Sequence, residues 1–169
     1  SAKGKYFIAE VGIKLTKQFH KLNTSYGDIE NWLQERCFSS PTLRDVSNAV
    51  IAIRRSKLPD PAELGNSGSF FKNPIIDKAH FEKLKEQYPK IKSYPIDETS
   101  VKVPAGWLIE SMGWKGKKVG NTGSHAKQAL VLVNYGGANG QEVYALAKAI
   151  QQSVKETYQI HLDMEVNVI

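Results

Sequence analysis

The chain has 169 residues, with 23 Lys and Arg against 17 Asp and Glu for a formal charge of +6, and one cysteine. That length supports one good core, or one complete domain plus part of another, and the lone Cys37 excludes an internal disulfide framework. No run reads as a signal peptide or a membrane span, which points to a reducing cytoplasm, and the surplus of cations favours an anionic partner. The basic residues fall in separate groups at 14–21, 54–57, 83–92 and 115–118 and no aromatic RNA-binding signature interleaves them, so neither nucleic acid nor membrane is expected as a partner.

Along the chain, Phe7, Ala9, Val11, Ile13 and Leu15 alternate with Glu10, Gly12 and Lys14, the period-two pattern of a strand covered on one face. Such a strand needs neighbours, and the polar stretch 16–40 supplies none beyond a helical turn near Ile29 to Leu33, so the opening reads as the cut edge of a larger domain. Ser40-Pro41 predicts a helix start, with serine as N-cap and proline in the first turn, and Leu43, Val46, Val50 and Ile53 then recur on one face. Pro59 requires that helix to end by Leu58, which places Arg54 and Lys57 in a last turn where the helix dipole favours cations.

After the rigid Leu58-Pro59-Asp60-Pro61 turn comes Gly65-Asn66-Ser67-Gly68-Ser69-Phe70-Phe71-Lys72-Asn73-Pro74. It reads either as a Gly-rich turn entering a strand or as a segment built for close ligand contact, with backbone N–H groups, a hydroxyl, an ammonium and a carboxamide a few residues apart. An extended piece follows over 69–76, then a helix capped by Asp77 with Phe81, Leu84 and Tyr88 inward, strand material at Tyr94 and 101–103 around Asp97-Glu98, and a short helix from Pro104 to Gly113. Residues 115–123 form a lysine-rich loop, 129–133 a doubly buried strand, and Asn139 with Glu142 a capping box for a long helix with Val143, Ala147, Ile150 and Val154 inward. The end, 160–169, is the clearest strand pattern: Ile160, Leu162, Met164, Val166 and Val168 on one face, His161, Asp163, Glu165 and Asn167 on the other. The fold class expected from these elements is α/β (α+β), with helices on small mixed sheets.

Several chemistries find little support. The four histidines and one cysteine lack ligand spacing, so no metal is expected. Neither G-x-G-x-x-G nor G-x-x-x-x-G-K-[ST] occurs, and 65–69 lacks the final glycine of G-x-S-x-G. Ser69 is better suited to donating a proton. Hydride addition to an alkene conjugated with a carboxylate creates a carbon basic enough to receive one, and Glu165, Lys57, Lys72 and Lys115 would supply charge and phosphate contacts around it.

The segment from Gly65 to Pro74, preceded by Lys57-Leu58-Pro59-Asp60-Pro61, followed by Ala105-Gly106-Trp107-Leu108-Ile109 and closed by Leu162-Asp163-Met164-Glu165-Val166, closely resembles the UDP-N-acetylenolpyruvoylglucosamine reductase family. The resemblance runs over essentially the whole chain. It implies a flavoprotein oxidoreductase of bacterial peptidoglycan synthesis in the cytoplasm, in which NADPH reduces FAD and the flavin passes hydride to the enolpyruvyl group of UDP-N-acetylglucosamine enolpyruvate. By resemblance, Ser69 protonates the carbanion-like intermediate and Glu165 stabilises it together with an arginine that has no counterpart in this chain. Lys57, Asn73, Tyr94, Lys115 and Gln128, with Arg54, match residues that hold the substrate, and Tyr26 in Ser25-Tyr26-Gly27-Asp28 matches a loop that closes over it.

The family's flavin-binding region lies before the first strand pattern seen here. The expectation is therefore that 1–58 is a strand–helix remnant of an FAD-binding domain and 59–169 a compact substrate-binding domain, with the rest of the FAD domain as partner. Alone, the chain should bind the UDP-sugar weakly and turn nothing over. The alternative is a stand-alone anion- or nucleotide-binding module without catalysis.

Overall fold

The structure is a computed structural model that describes residues 6–168. It divides into two compact units, one running up to Ile53 and the other starting at Arg54. The expected α/β class is borne out: among the described residues five helices accompany two small sheets.

In the first unit, α1 (Ile29–Gln34) forms where a helical turn was expected. Ile29, Leu33 and Ala49 make its small buried cluster, with Trp32, Val46 and Ile53 against it. Ala49 belongs to α2 (Leu43–Lys57), which starts two residues later than Ser40-Pro41 predicts. The reason is local: the Thr42 N–H and hydroxyl donate to the Asp45 carboxylate at 2.8 and 2.6 Å, and Asp45 N–H returns a bond to Thr42 Oγ1 at 3.3 Å. This reciprocal pair caps the helix in place of serine. It also holds the Asp45 carboxyl below its usual range, the hydroxyl bond first and the backbone bond second. Leu43 and Val50, expected inward, are exposed.

Residues 7–15 do not form a strand. Tyr6, Phe7, Ile8, Val11, Ile13 and Leu15 are each at least three-quarters exposed. Alternation decides which side chains share a face, but a strand exists only once its backbone pairs, and no described segment pairs with this one.

The second unit holds the main core. One sheet takes the order β1-β7-β6-β5 and the other β2-β4-β3, and each pairing within them is antiparallel where mixed sheets were expected. In the first sheet β1 is Gly65–Ser69, β5 Lys118–Val119, β6 Thr122–Ser124 and β7 Val131–Asn134. The glycine-rich stretch is thus itself a strand, and the lysine loop contains a hairpin. That hairpin requires Gly123, since a Cβ there would lie 2.7 Å from the Lys117 carbonyl oxygen. In the second sheet β2 is Ile75–Asp77, β3 Tyr94–Pro95 and β4 Ser100–Lys102.

Helix α3 (Lys78–Gln87) buries Phe81 and Leu84, with Tyr88 partly buried at its end. Asp77 stands at its N-cap but its side chain makes no capping bond; the Lys78 N–H is met instead by the Thr99 carbonyl at 2.8 Å. Helix α4 (Ala105–Ser111) follows Pro104 as expected. Helix α5 (Gly140–Tyr158) begins with the full capping box between Asn139 and Glu142 and buries Leu146, Ala147, Ile150, Gln151, Val154 and Tyr158. Val143 is only partly buried.

After α5 the chain reverses at Gln159, whose φ of 55° is left-handed. The terminal segment keeps the predicted alternation: Ile160 and Leu162 are 2% and 0% exposed, Met164 and Val166 partly buried, and His161, Asp163 and Glu165 exposed. It forms no regular strand, only a bridge between Met164 and Phe71, and Val168 is exposed. Ile169, the last residue of the predicted strand, lies outside the described residues.

Candidate functional site

Strand β1 carries a bulge. Asn66 is paired with Val133 and Ser69 with Val131, so three steps on β1 face two on β7. Gly68 absorbs the extra residue with φ +73°, a conformation that disfavours side chains, and its N–H donates to Asn66 Oδ1 at 3.0 Å while Asn66 Nδ2 donates to the Leu64 carbonyl at 2.8 Å. The bulge delivers Ser69 to the surface while the next two residues, Phe70 and Phe71, are 5% and 1% exposed. Burial of those rings fixes the backbone that presents the hydroxyl.

Phe70 is the registration point of the site. Its N–H donates to the Leu130 carbonyl at 2.8 Å, and its own carbonyl accepts from Glu165 N–H at 2.9 Å. Two residues on, Lys72 N–H donates to the Asp163 carbonyl at 2.9 Å. Ser69 and Glu165, 96 positions apart in the chain by their numbers, therefore lie on adjacent extended backbones, both exposed. These are the two residues the sequence reading named for proton donation and charge stabilisation.

A second group gathers at the start of α4. Asn73 Oδ1 accepts from Ala105 N–H at 2.9 Å, so this carboxamide caps the helix and presents its Nδ2 donors outward from that anchor. Gln128 is beside it: a Cβ on Gly106 would lie 3.6 Å from Gln128 Oε1, which also accepts from Leu130 N–H at 3.4 Å. Lys115 follows the end of α4, its Nζ 2.8 Å from Glu110 Oε1 and its backbone bridged to Ser124. A phosphate there would compete with the glutamate for the ammonium. Tyr94, 59% exposed, sits on the outer strand β3 opposite Lys102 and is not drawn against the other candidates by any contact. Tyr26, 81% exposed, belongs to the first unit.

Arg54 lines a cleft of about 860 Å³ within the second unit, together with Arg55, Asn66, Gly68, His125 and Lys127 among others. Lys57 closes α2 three residues later. The sequence singled out neither His125 nor Lys127 as a site residue, because only the β6–β7 connection brings them to the bulge. Burial, and secondarily the Lys127 cation, hold the His125 imidazole below its ordinary value, so it is neutral at pH 7. Lys127 N–H approaches His125 Nδ1 at 3.4 Å. Among the described residues no three His, Cys, Asp or Glu side chains converge as metal ligands, and no helix is long and apolar enough to cross a membrane.

The arrangement offers a hydroxyl and a carboxylate on neighbouring backbones, a carboxamide and an amide near one helix start, and a cleft with cationic groups and a bare glycine backbone. Its cationic groups suit an anionic ligand. Comparison with known proteins agrees in kind. Residues 60–169 match the family model for the C-terminal domain of UDP-N-acetylenolpyruvoylglucosamine reductase. The chain is 59% identical over 167 residues to the UDP-N-acetylenolpyruvoylglucosamine reductase of Flavobacterium johnsoniae, covering 99% of this chain and 50% of that protein. It is 47% identical over 164 residues to the Pseudomonas aeruginosa protein of the same name, covering 97% and 48%, and 47% identical over 169 residues to that of Amoebophilus asiaticus, covering 100% and 50%. The chain spans about half the length of the curated relatives it matches.

Proposed function

The chain belongs to the UDP-N-acetylenolpyruvoylglucosamine reductase family, and from that premise we propose that it is the substrate-binding and proton-donating part of a cytoplasmic bacterial flavoenzyme that reduces UDP-N-acetylglucosamine enolpyruvate to UDP-N-acetylmuramate. Residues 59–169 form the substrate-binding domain, and 1–58 belong to the FAD-binding domain, whose remainder is the partner. The observation that carries the reading is the pair of backbone bonds joining Phe70 and Lys72 to the segment of Glu165. They set the hydroxyl of Ser69 and the carboxylate of Glu165 on neighbouring backbones in a chain whose sequence gives no other reason for the two to meet.

FAD and NADPH are the proposed cofactor and reductant. The residues present fit one side of a flavin: Arg55 and Lys127 line the cleft, where cations complement a pyrophosphate or a ring that gains negative charge, and a Cβ on Gly68 would meet nothing within 4 Å. When bound, FAD reduced by NADPH supplies hydride to the enolpyruvyl group. This chain's residues do the rest. Ser69 Oγ gives its proton to the carbon left electron-rich, and Glu165 steadies the charge change beside it. Asn73 Nδ2, Gln128, Lys115, Tyr94, Lys57 and Arg54 hold the uridine diphosphate, and Tyr26 closes over the substrate.

Co-expression with the N-terminal half of a relative tests this. NADPH oxidation that depends on the enolpyruvyl sugar should appear in the assembled protein and be absent from this chain alone. Binding of the UDP-sugar without any restored turnover would favour a binding module instead.

A further inference from the structure

Three buried polar side chains occur among the described residues: Thr122, Ser124 and Gln151. Thr122 and Ser124 bond carbonyls close by in the chain, those of Val119 and Ala129 at 2.9 Å each. Gln151 does something different. It stands on the buried face of α5 beside Ile150 and Val154, where an apolar residue would pack as well, and its Nε2 donates to the carbonyl of Leu162 in the terminal segment.

The alternation of an extended backbone explains the contact. Asp163 C=O and Glu165 N–H point to the Phe70–Lys72 edge and are bonded there. Leu162 C=O points the opposite way, toward α5, where no strand of the described residues receives it. Leu162 is 0% exposed, so water does not reach its side chain, and a carbonyl buried without a donor is costly. Gln151 therefore stands in for the missing neighbour strand and holds the second edge of the segment that carries Glu165 three residues later.

We propose that Gln151 is a positioning residue for Glu165: by bonding Leu162 C=O it fixes the register and tilt of the terminal segment against Phe70, and so the place of the Glu165 carboxylate relative to the Ser69 backbone. This rests on the reading of Ser69 and Glu165 given above. Gln151 touches no substrate; it acts through the backbone.

The test uses the intact flavoenzyme containing these residues. Gln151→Leu removes the donor and keeps most of the volume. It should lower kcat for enolpyruvyl reduction about tenfold to a hundredfold, the scale of a misplacement near 1 Å, while KM moves less than roughly threefold and flavin reduction by NADPH is unchanged. In a Glu165→Ala background the same change should add no further loss, because the group it positions is gone. Gln151→Glu supplies a conservative arm: its protonated carboxyl can donate to Leu162 C=O and its carboxylate cannot, so kcat relative to the parent should rise as pH falls. Parental kcat in folded Gln151→Leu, or an additive loss in the Glu165→Ala background, would overturn the proposal alone. If Gln151→Leu does not fold, a pH profile of Gln151→Glu parallel to the parent's overturns it. Unchanged substrate reduction in Glu165→Ala itself would overturn the site reading and the proposal with it.

Discussion

Residues 7–15 and 160–168 carry the same period-two apolar pattern and end in opposite states. In the first, Phe7 is 93% exposed and Ile13 75%; in the second, Ile160 and Leu162 are 2% and 0% exposed. The difference is backbone partnership. The terminal segment has Phe70 and Lys72 on one edge and Gln151 on the other, and its apolar side chains from Ile160 to Val166 pack in or against the main core. The first segment has no such edge among the described residues. An alternating pattern states a requirement for a cover, and only the rest of the fold meets it or leaves it open.

The largest effect that sharpens this contrast comes from one chemical change made in both segments. Leu162→Ala should cost about 2–5 kcal/mol of stability, as for a fully buried leucine. Ile13→Ala should stay within about 0.5 kcal/mol. Urea unfolding of the two variants measures both, and equal losses would mean that residues 7–15 are covered in solution. Next in size is Gly68→Ala. A Cβ there meets nothing within 4 Å, so its cost is the left-handed backbone alone, about 1–2 kcal/mol. A variant as stable as the parent would show that the bulge presenting Ser69 relaxes without penalty.

The smallest effect is the pH response of His125. Its imidazole is held below the ordinary value of 6.5, first by burial and then by Lys127. As pH falls, the unfolded chain takes up the proton first, so stability present above about pH 6.5 is lost on descending through the folded value. His125→Gln should lose less stability between about pH 7 and pH 5 than the parent does. Parallel curves would remove His125 from the account.

What was legible in the sequence follows the range of each interaction. The box at Asn139 and Glu142 is complete within four residues, and both of its bonds form, at 2.9 and 3.1 Å. The Ser40-Pro41 start was equally local and yet misleading, because Thr42 and Asp45 offered a stronger reciprocal pair two residues on. The faces of 160–168 could be read, but not that Phe71 would bridge Met164, since that pairing is decided by distant chain. Ser69 and Glu165 could be named from their motifs. His125, Lys127 and Gln151 could not: an isolated histidine, a surface-type lysine and a helical glutamine gain meaning only from what packs beside them.

The central claim is that Ser69, next in the chain to the Phe70 that bonds the Glu165 backbone, gives the proton. Ser69→Ala in the intact flavoenzyme tests it most directly by rapid-mixing kinetics of the two half-reactions. Flavin reduction by NADPH should proceed at the parental rate, while reoxidation by the enolpyruvyl sugar should slow about a hundred- to ten-thousand-fold. Reoxidation at the parental rate would contradict the account and leave Ser69 as a residue of the bulge alone.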